Sequence, residues 1–346
     1  MHLRWILSLP AVLVATAQQA PRQTPESQPL VPLKIGLEWF LNPDHLPLVV
    51  ALKEGYFKDA GLNVTLVEPA DHWEAEEEII AGRLDVAVTE TLHLAQDAAR
   101  GKPVIGFSRF LHTDGGVMYL KNRGIERPSD MCGKTISYPG YPGPGGPAIV
   151  GTMVKADGGE CSEPFGKHDG GFYHVDALTS GADVATLIFS NFEMVEAKSR
   201  GLDAGFFSLK DWGVPDFCQL VLFTTPEKLE ASSADLRKLV LAVRRATGLI
   251  KTDPDKARSI WFEHTRMSRP FLARLNPLTM RARVREARVA RDTFEATLPA
   301  FVNDNTLAME YWVELAHWLV KTGQIENGSA HPSSTKHQYW TNDLAL

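Results

Sequence analysis

Strand and helix patterns alternate in the first third of the chain, and this alternation limits the possible folds more than any other feature. The strand-like segments are 33–40, 62–69 and 84–90, and helical segments at 46–55 and 73–82 separate them. Successive strand–helix–strand units predict a parallel sheet with right-handed crossovers. Ligands of such sheets bind at the carboxyl ends of strands, so we expect a binding crevice after Glu38 and after Val88.

The middle of the chain repeats this pattern, and the last third is helical. Strand 134–138 runs into a loop rich in Gly and Pro before a helix that begins near residue 147, and strand 184–189 ends at Ser190-Asn191-Phe192-Glu193. A phosphate-binding loop is one interpretation of the Gly/Pro segment. A rigid connecting loop is favoured, because four prolines remove amide donors and the Lys-Ser/Thr ending of a P-loop is missing.

The amino terminus has the composition of an export signal. Residues 1–17 contain a short basic start, an apolar run of about ten residues and the small-residue sequence Ala15-Thr16-Ala17, which together predict a cleaved signal peptide. A membrane anchor is the weaker alternative, because a spanning helix needs roughly twenty apolar residues. Residues 18–32 are rich in Gln, Pro and Ser and are predicted to form a flexible leader. We expect no stable membrane insertion.

Charge and cysteine content exclude several classes of function. The 36 basic and 42 acidic residues leave a net charge of -6, which offers no basic face for nucleic acid. Cys132, Cys161 and Cys218 permit one disulfide at most, and three small buried side chains are the alternative. Neither the cysteines nor the eleven scattered histidines have the spacing of a metal site, so no metal is expected.

Several motifs carry a resemblance to a known family. Residues 39–47 read W-x-x-x-P-x-H-x-P, EGYFKDAGLNV follows, and IIAGRLDVAV, GKTISYPG, NFEMVEAKSRG and DWGVPDF come later. Over about residues 33–346 the chain resembles the thiamine-pyrimidine branch of the periplasmic-binding-protein family. This branch contains bacterial ABC-transporter proteins that bind formylaminopyrimidine or related heterocycles, and fungal enzymes that make the thiamine pyrimidine phosphate.

The resemblance implies a two-lobed α/β structure, the type II periplasmic-binding-protein fold. Each lobe would have a mixed sheet flanked by helices, and the ligand would lie in the inter-lobe cleft. Residues 33–121 and the helical segment 223–346 would form the first lobe, and residues 122–222 would form the second.

The resemblance also assigns roles to individual residues. Trp39 matches an aromatic residue that stacks on the pyrimidine, although a core Trp is the alternative. His45 matches a histidine of the fungal turn and could equally cap the following helix. His93 matches the histidine that supplies pyrimidine atoms in the fungal enzymes, and Glu193 matches a glutamate that pairs with the amino and ring-nitrogen edge of the ligand. Glu90 and Tyr138 complete the expected ligand-binding set.

One departure from the fungal pattern bears on function. Thr89 stands where the fungal enzymes have the lysine that binds pyridoxal phosphate as a Schiff base, and a threonine cannot form an imine. Their cysteine-rich motif is also missing, since only Cys218 lies in the comparable region. We therefore expect no catalytic residues and no cofactor.

The sequence thus predicts a monomeric solute-binding protein, periplasmic or secreted, that captures a small heterocycle for an ABC permease. The alternatives are a pyrimidine synthase-like enzyme or biosynthetic accessory protein of the fungal branch, and a sensor or scavenger without a transporter.

Overall fold

The computed structural model describes residues 29–69, 75–138, 145–171, 173–267, 280–326 and 338–345. The predicted signal peptide and most of the predicted leader lie outside these ranges. The first strand begins at Val31, so the last two residues expected in the leader belong to the sheet. None of the helices in the described ranges is both long and apolar enough to cross a bilayer.

The first sheet combines strands from distant parts of the chain. Its members are β1 (Val31–Gly36), β2 (Leu62–Val67), β3 (Val86–Glu90), β4 (Ile105–His112) and the late strand Gln219–Thr224. β2, β1 and β3 are parallel neighbours, as the strand–helix alternation predicted. The late strand runs antiparallel between β3 and β4.

The second sheet is formed by the middle of the chain. Its strands are β5 (Gly115–Leu120), β6 (Thr135–Tyr138), β7 (Gly166–Asp169), β8 (Val184–Phe189) and β9 (Ala204–Ser208), so the late strand of the first sheet is β10. Their order is β7-β6-β8-β5-β9, with β5 antiparallel to both of its neighbours.

Helices flank both sheets. In the first lobe they are α1 (Leu46–Lys53), α2 (Tyr56–Asp59), α3 (Ala75–Ile80) and α4 (Thr91–Ala99), and in the second lobe α5 (Gly145–Ala156), α6 (His174–Ser180) and α7 (Val195–Ser199). The remaining helices are α8 (Pro226–Ala231), α9 (Ser233–Thr252), α10 (Pro254–Met267), α11 (Met280–Thr297) and α12 (Met309–Lys321). α9 buries one apolar stripe and packs on α1 and α2, so the helical last third returns to the first lobe.

The chain crosses between the sheets twice. The first crossing lies at 113–114 and the second lies between Ser208 and Gln219. Both fall earlier than the limits expected after residues 121 and 222. β5 and β10 lie next to the expected limits, and their pairing partners assign β5 to the second sheet and β10 to the first.

A disulfide joins Cys132 to Cys161 inside the second lobe, with the Cα atoms 5.2 Å apart. Cys218 is a free, buried thiol next to the second crossing. This Cys packs directly against Gly115, where a Cβ atom would lie 2.0 Å from its Sγ. The glycine therefore allows the two crossing segments to lie side by side.

Candidate functional site

The turn that follows β1 is held by its own polar side chains. The Oδ1 atom of Asn42 accepts from the amide of Asp44 at 2.8 Å, and the amide of Asn42 donates to Nδ1 of His45 at 3.3 Å. Because Nδ1 is an acceptor, the proton on Nε2 of His45 faces the Glu38 carboxylate, 2.9 Å away. His45 is fully buried, so it caps and supports the turn. The bond to Glu38 also ties the residue before Trp39 to this turn.

The corresponding turn of the second lobe follows β8. Leu187 in this strand has a φ of 60°, and the pairing of β8 with β5 is irregular in the same region. A left-handed backbone conformation at a branched residue is costly and commonly re-aims a strand end near a binding site. The chain then forms a single π-helical turn, Ser190–Met194, which carries Glu193.

One carboxyl oxygen of Glu193 accepts a hydrogen bond, and the other forms none within the described ranges. Its Oε2 accepts from the amide of Phe189 at 2.9 Å, whereas Oε1 has no hydrogen-bond partner among the residues that the structure describes. Only 1% of the residue is exposed, and this burial raises the pKa of Glu193 well above its usual range. The raised pKa favours the protonated form of this carboxyl group, which can donate as well as accept.

His174, the first residue of α6, lies beside this acid. Its Nε2 is 3.8 Å from Oε1 of Glu193, and its Nδ1 has no hydrogen-bond partner within the described ranges. The residue is 3% exposed, and burial lowers the pKa of His174 to about 4. His174 is therefore a neutral imidazole at physiological pH.

A cavity of about 400 Å³ opens between the lobes at these two turns. The described residues of its wall are Trp39, Phe40, Glu68, Tyr173, His174, Asp176, Phe192, Glu193, Glu196, Arg200, Arg285, Glu286 and Val289. Residues of both lobes and of α11 therefore line the cavity. A volume of this size suits a small organic molecule.

Aromatic rings from both lobes meet at the cavity. The Trp39 ring makes edge contacts with Phe192 and His174, at centroid distances of 5.6 and 5.8 Å. Phe40 stacks on Tyr173 with an interplanar angle of 20°, and Tyr173 is 44% exposed. Such rings supply flat apolar surface for a planar ligand.

Acidic groups outnumber basic groups in the described wall. The acids are Glu68, Asp176, Glu193, Glu196 and Glu286, and the bases are Arg200 and Arg285. Arg200 forms ion pairs with both Asp176 and Glu196, so its charge is already balanced. This distribution disfavours an anionic ligand and favours one that carries hydrogen-bond donors or partial positive charge.

A second group of polar residues spans the lobes at the carboxyl end of β3. Nδ1 of His93 is 2.7 Å from the Glu90 carboxylate, and Nε2 is 2.9 Å from the hydroxyl of Tyr138 in the other lobe. Burial alone would lower the pKa of His93, but Tyr138 and Glu90 together raise it well above its usual range. The raised pKa favours the imidazolium form, in which both ring nitrogens can donate to these neighbours.

A third inter-lobe contact lies deeper in the molecule. The side-chain amide of Asn191 donates to Asp44 in the first lobe at 2.6 Å and to Thr297 at the end of α11 at 2.8 Å. Burial raises the pKa of Asp44 to about 7, against the opposing effects of His45 and Asn191. The lobes are therefore joined through a carboxyl group that titrates near neutrality.

The structure sorts the six expected site residues into three places. Trp39 and Glu193 line the cavity; Glu90, His93 and Tyr138 form the inter-lobe chain and are absent from the described wall; His45 lies in the supporting turn. Sequence reasoning missed Phe40, Tyr173, Phe192 and His174. The sequence GFYH at 171–174 and Phe192 beside Glu193 were the available signals, since aromatic residues near strand ends are unusual in plain turns.

The family model described as NMT1/THI5 like matches residues 42–257, which is more than half of the chain. The chain belongs to the NMT1/THI5-like family. This confirms the predicted thiamine-pyrimidine branch.

The chain is similar to both a bacterial and a fungal protein. The formylaminopyrimidine-binding protein of Halalkalibacterium halodurans is 27% identical over 257 residues, covering 74% of this chain and 77% of the relative. The 4-amino-5-hydroxymethyl-2-methylpyrimidine phosphate synthase of Aspergillus parasiticus is 26% identical over 317 residues, covering 88% and 86%.

Solved structures confirm the predicted fold. The alkanesulfonate-binding protein SsuA of Xanthomonas axonopodis has a TM-score of 0.61 at 14% identity, covering 86% of this chain and 95% of that one. The periplasmic nitrate-binding protein NrtA of Synechocystis has a TM-score of 0.62 at 13% identity, covering 91% and 87%. At these identities the likeness concerns the fold alone.

Proposed function

We propose that this protein is a solute-binding protein that captures a small aminopyrimidine between its lobes for uptake by an ABC permease. The observation that carries the proposal is the inter-lobe cavity, whose described wall contains Trp39 from the first lobe and Glu193 from the second. A flat ligand would stack against Trp39 and form hydrogen bonds with Glu193. The bacterial relative is named for a ligand of this class.

Ligand binding would favour lobe closure because both lobes contribute to the cavity. A ligand shifts an open–closed equilibrium only by its difference in affinity between the two states, and contacts from both lobes exist only in the closed one. The Asp44–Asn191 and His93–Tyr138 hydrogen bonds would add to the closed state without touching the ligand. The closed surface would then be presented to the permease.

The acid-rich wall supports an aminopyrimidine over an anionic solute. An amino-substituted ring carries donors and a basic ring nitrogen, which carboxyl groups can bind. A sulfonate or nitrate would instead be repelled by the carboxylates. The cavity is thus chemically different from a site for the ligands named for the two structural neighbours above.

We place the protein in the periplasm or outside the cell, acting as a monomer. The Cys132–Cys161 disulfide supports this placement, because such bridges persist in oxidising compartments. Amino-terminal sequencing of exported protein should begin at Gln18. Intact Met1 on protein recovered from the cytosol would contradict the export and the transport role together.

A pyrimidine synthase is the second candidate, because the fungal relative matches most of the chain. The residues present do not fit a Schiff base with pyridoxal phosphate. Thr89 is 8% exposed and has no amine, and the described part of the cavity wall contains no lysine. Addition of pyridoxal phosphate should produce no internal-aldimine absorbance, and a borohydride-stable adduct on a cavity residue would favour the enzyme.

The proposed function is tested with small molecules that co-purify with the native protein. Denaturation of the protein should release an aminopyrimidine, which mass spectrometry would identify. Calorimetric titration of the ligand-free protein should then show tight binding of 4-amino-5-hydroxymethyl-2-methylpyrimidine or formylaminopyrimidine. A native ligand that is not a heterocycle, together with no binding of either pyrimidine, would exclude the proposal.

A further inference from the structure

Helix α11 contacts both lobes. It packs against α7 and the π-helical turn of the second lobe, and against the turn at 43–45 in the first. Three of its residues, Arg285, Glu286 and Val289, also line the inter-lobe cavity. Because α11 forms part of the cavity wall, its separation from the second lobe would open the cavity.

The C-terminal end of α11 is anchored in the first lobe. Phe294 is fully buried, and its ring lies 5.9 Å from the ring of Phe262 in α10. Nε of Arg258, which also belongs to α10, donates to the Glu295 carboxylate at 2.7 Å. Helix α10 packs in turn on α1 and α9 of the first lobe. This end of α11 should therefore move with the first lobe.

Two side chains of the same helix form contacts with the second lobe. The hydroxyl of Ser199, the last residue of α7, lies 3.4 Å from Oδ2 of Asp292. Oγ1 of Thr297 accepts from the side-chain amide of Asn191 at 2.8 Å, and both residues of this second pair are buried. We call these two pairs the latch. None of their four side chains is among the described residues of the cavity wall.

The two attachments of α11 should respond differently when the lobes open. Its contacts with α10 lie within one lobe, so a hinge motion leaves them intact. The latch joins different lobes and has to break when they separate. Interactions that exist only in the closed state shift the open–closed equilibrium towards closure, whether or not they touch the ligand.

We propose that α11 is an arm of the first lobe whose latch with the second lobe keeps the cavity closed and thereby slows release of the bound solute. The latch sets how long a solute stays bound, and the cavity wall sets which solute binds. The inference rests on the proposed function for the identity of the solute. The latch itself is a property of the fold, so it can also be tested without any ligand.

Substitutions that remove the latch hydrogen bonds test its contribution. In the full-length protein, Ser199→Ala/Thr297→Val should raise the dissociation rate of 4-amino-5-hydroxymethyl-2-methylpyrimidine by about fivefold or more. The association rate should stay within about twofold of the parent, because affinity changes reside mainly in dissociation. Ser199→Ala/Thr297→Ser keeps the second hydroxyl and should restore part of the slow release.

Thr293→Val is the matched control for these substitutions. Thr293 is buried in the same helix, but its hydroxyl donates to the Val289 carbonyl of α11 itself, at 2.8 Å. Its replacement should leave the dissociation rate unchanged. Thermal melts establish that each variant is folded. Equal dissociation rates for the parent and a folded Ser199→Ala/Thr297→Val protein would show that the latch does not retain the solute.

A cross-link tests whether α11 is an arm of the first lobe. In Ser199→Cys/Asp292→Cys, bismaleimidoethane would join α7 to α11, and Cys218 is protected by burial. Cross-linking of the ligand-loaded variant should slow dissociation by about tenfold or more. In Arg258→Cys/Glu295→Cys the same reagent joins α10 to α11 within the first lobe and should have no effect. Equally slow release from both cross-linked proteins would show that α11 moves relative to α10, which would exclude the arm.

Small-angle X-ray scattering of the ligand-free proteins separates this inference from the proposed function. The cross-link between residues 199 and 292 should reduce the radius of gyration, and the cross-link between residues 258 and 295 should not. If the parent binds no pyrimidine but this difference is seen, the proposed function is wrong and the latch stands. If the cross-link between residues 199 and 292 alters neither dissociation nor the radius of gyration, the latch is wrong whether or not a pyrimidine binds.

Discussion

His93 and Tyr138 form a hydrogen bond between the two lobes, with Nε2 of the imidazole 2.9 Å from the tyrosine hydroxyl. The partner on the other side of the ring is Glu90, which belongs to the same lobe as His93. The raised pKa of His93 favours its charged form, and in that form the bond to Tyr138 is charge-assisted. The lobes are thus connected by residues outside the described cavity wall, so the proposed closure would have a component that is independent of the ligand.

Tyr138→Phe should therefore weaken closure without altering the cavity wall. Hydrogen bonds to charged groups contribute about 1.5 to 3 kcal/mol. In the open form, hydrogen bonds to water will compensate for part of this free energy. We expect ligand affinity to fall by up to about tenfold and small-angle X-ray scattering to show a larger radius of gyration. Tyr119→Phe, whose ring stacks on Phe207 within the second lobe, is the control. Equal affinity and equal size for the Tyr138 variant and the parent would contradict the role.

Trp39→Ala should remove the stacking surface of the cavity. Base stacking on an aromatic side chain is worth about 1 to 3 kcal/mol, so the affinity for an aminopyrimidine should fall by about tenfold to a hundredfold. Trp39→Phe should retain part of the affinity, because a smaller ring can still stack on the ligand. Trp212→Phe, on the second lobe outside the described wall, is the matched control in calorimetric titrations. Full affinity in a folded Trp39→Ala protein would place the ligand elsewhere.

Asp44→Asn should change the pH dependence of stability. In the unfolded chain this carboxyl has a pKa of 3.8, whereas burial in the folded protein raises the pKa to about 7. The folded state binds the proton more tightly, so the free energy of unfolding falls as pH rises between these values and levels off above them. One pKa unit corresponds to about 1.4 kcal/mol, which makes the cost of ionisation up to about 4 kcal/mol.

Urea unfolding at several pH values provides the measurement. The asparagine keeps an acceptor for Asn191 and cannot ionise, so the variant should gain stability relative to the parent at about pH 8 and lose that advantage near pH 4. The difference between the two proteins removes the contributions of titrating groups that are unaffected by the substitution. A stability difference that does not vary with pH would show that Asp44 is ionised in the folded state.

Reduction of the Cys132–Cys161 disulfide should destabilise the second lobe. The two cysteines are 29 residues apart, and the chain-entropy treatment assigns such a cross-link about 3 to 4 kcal/mol. We expect a lower melting temperature in the presence of a reductant. In the double variant Cys132→Ala/Cys161→Ala the reductant should have no effect, which controls for other actions of the thiol. A parent that melts at the same temperature with and without reductant would contradict the prediction.

Local pattern was sufficient to predict much of the fold. Strand 184–189 has the limits expected from the sequence, and α9 lies in the last third that was expected to be helical, because apolar periodicity and flanking turn residues are local properties. The turn after β1 was predicted as a polar-aromatic site element from the same kind of information. The family resemblance added the two-lobed arrangement, which periodicity alone does not specify.

The site depended on contacts that no local pattern contains. His45 and Trp39 lie six residues apart in one motif, yet the fold directs one into the supporting turn and the other to the cavity. The sequence did not single out His174, because its significance arises only from the position of Glu193, which belongs to a different element. Burial then decides the charge of both groups, since removal from water favours the neutral forms. The sequence by itself determined which residue types are present and which local elements they form. Tertiary structure alone decided which side chains meet across the cleft and in which protonation state, because long-range packing sets both distance and solvation.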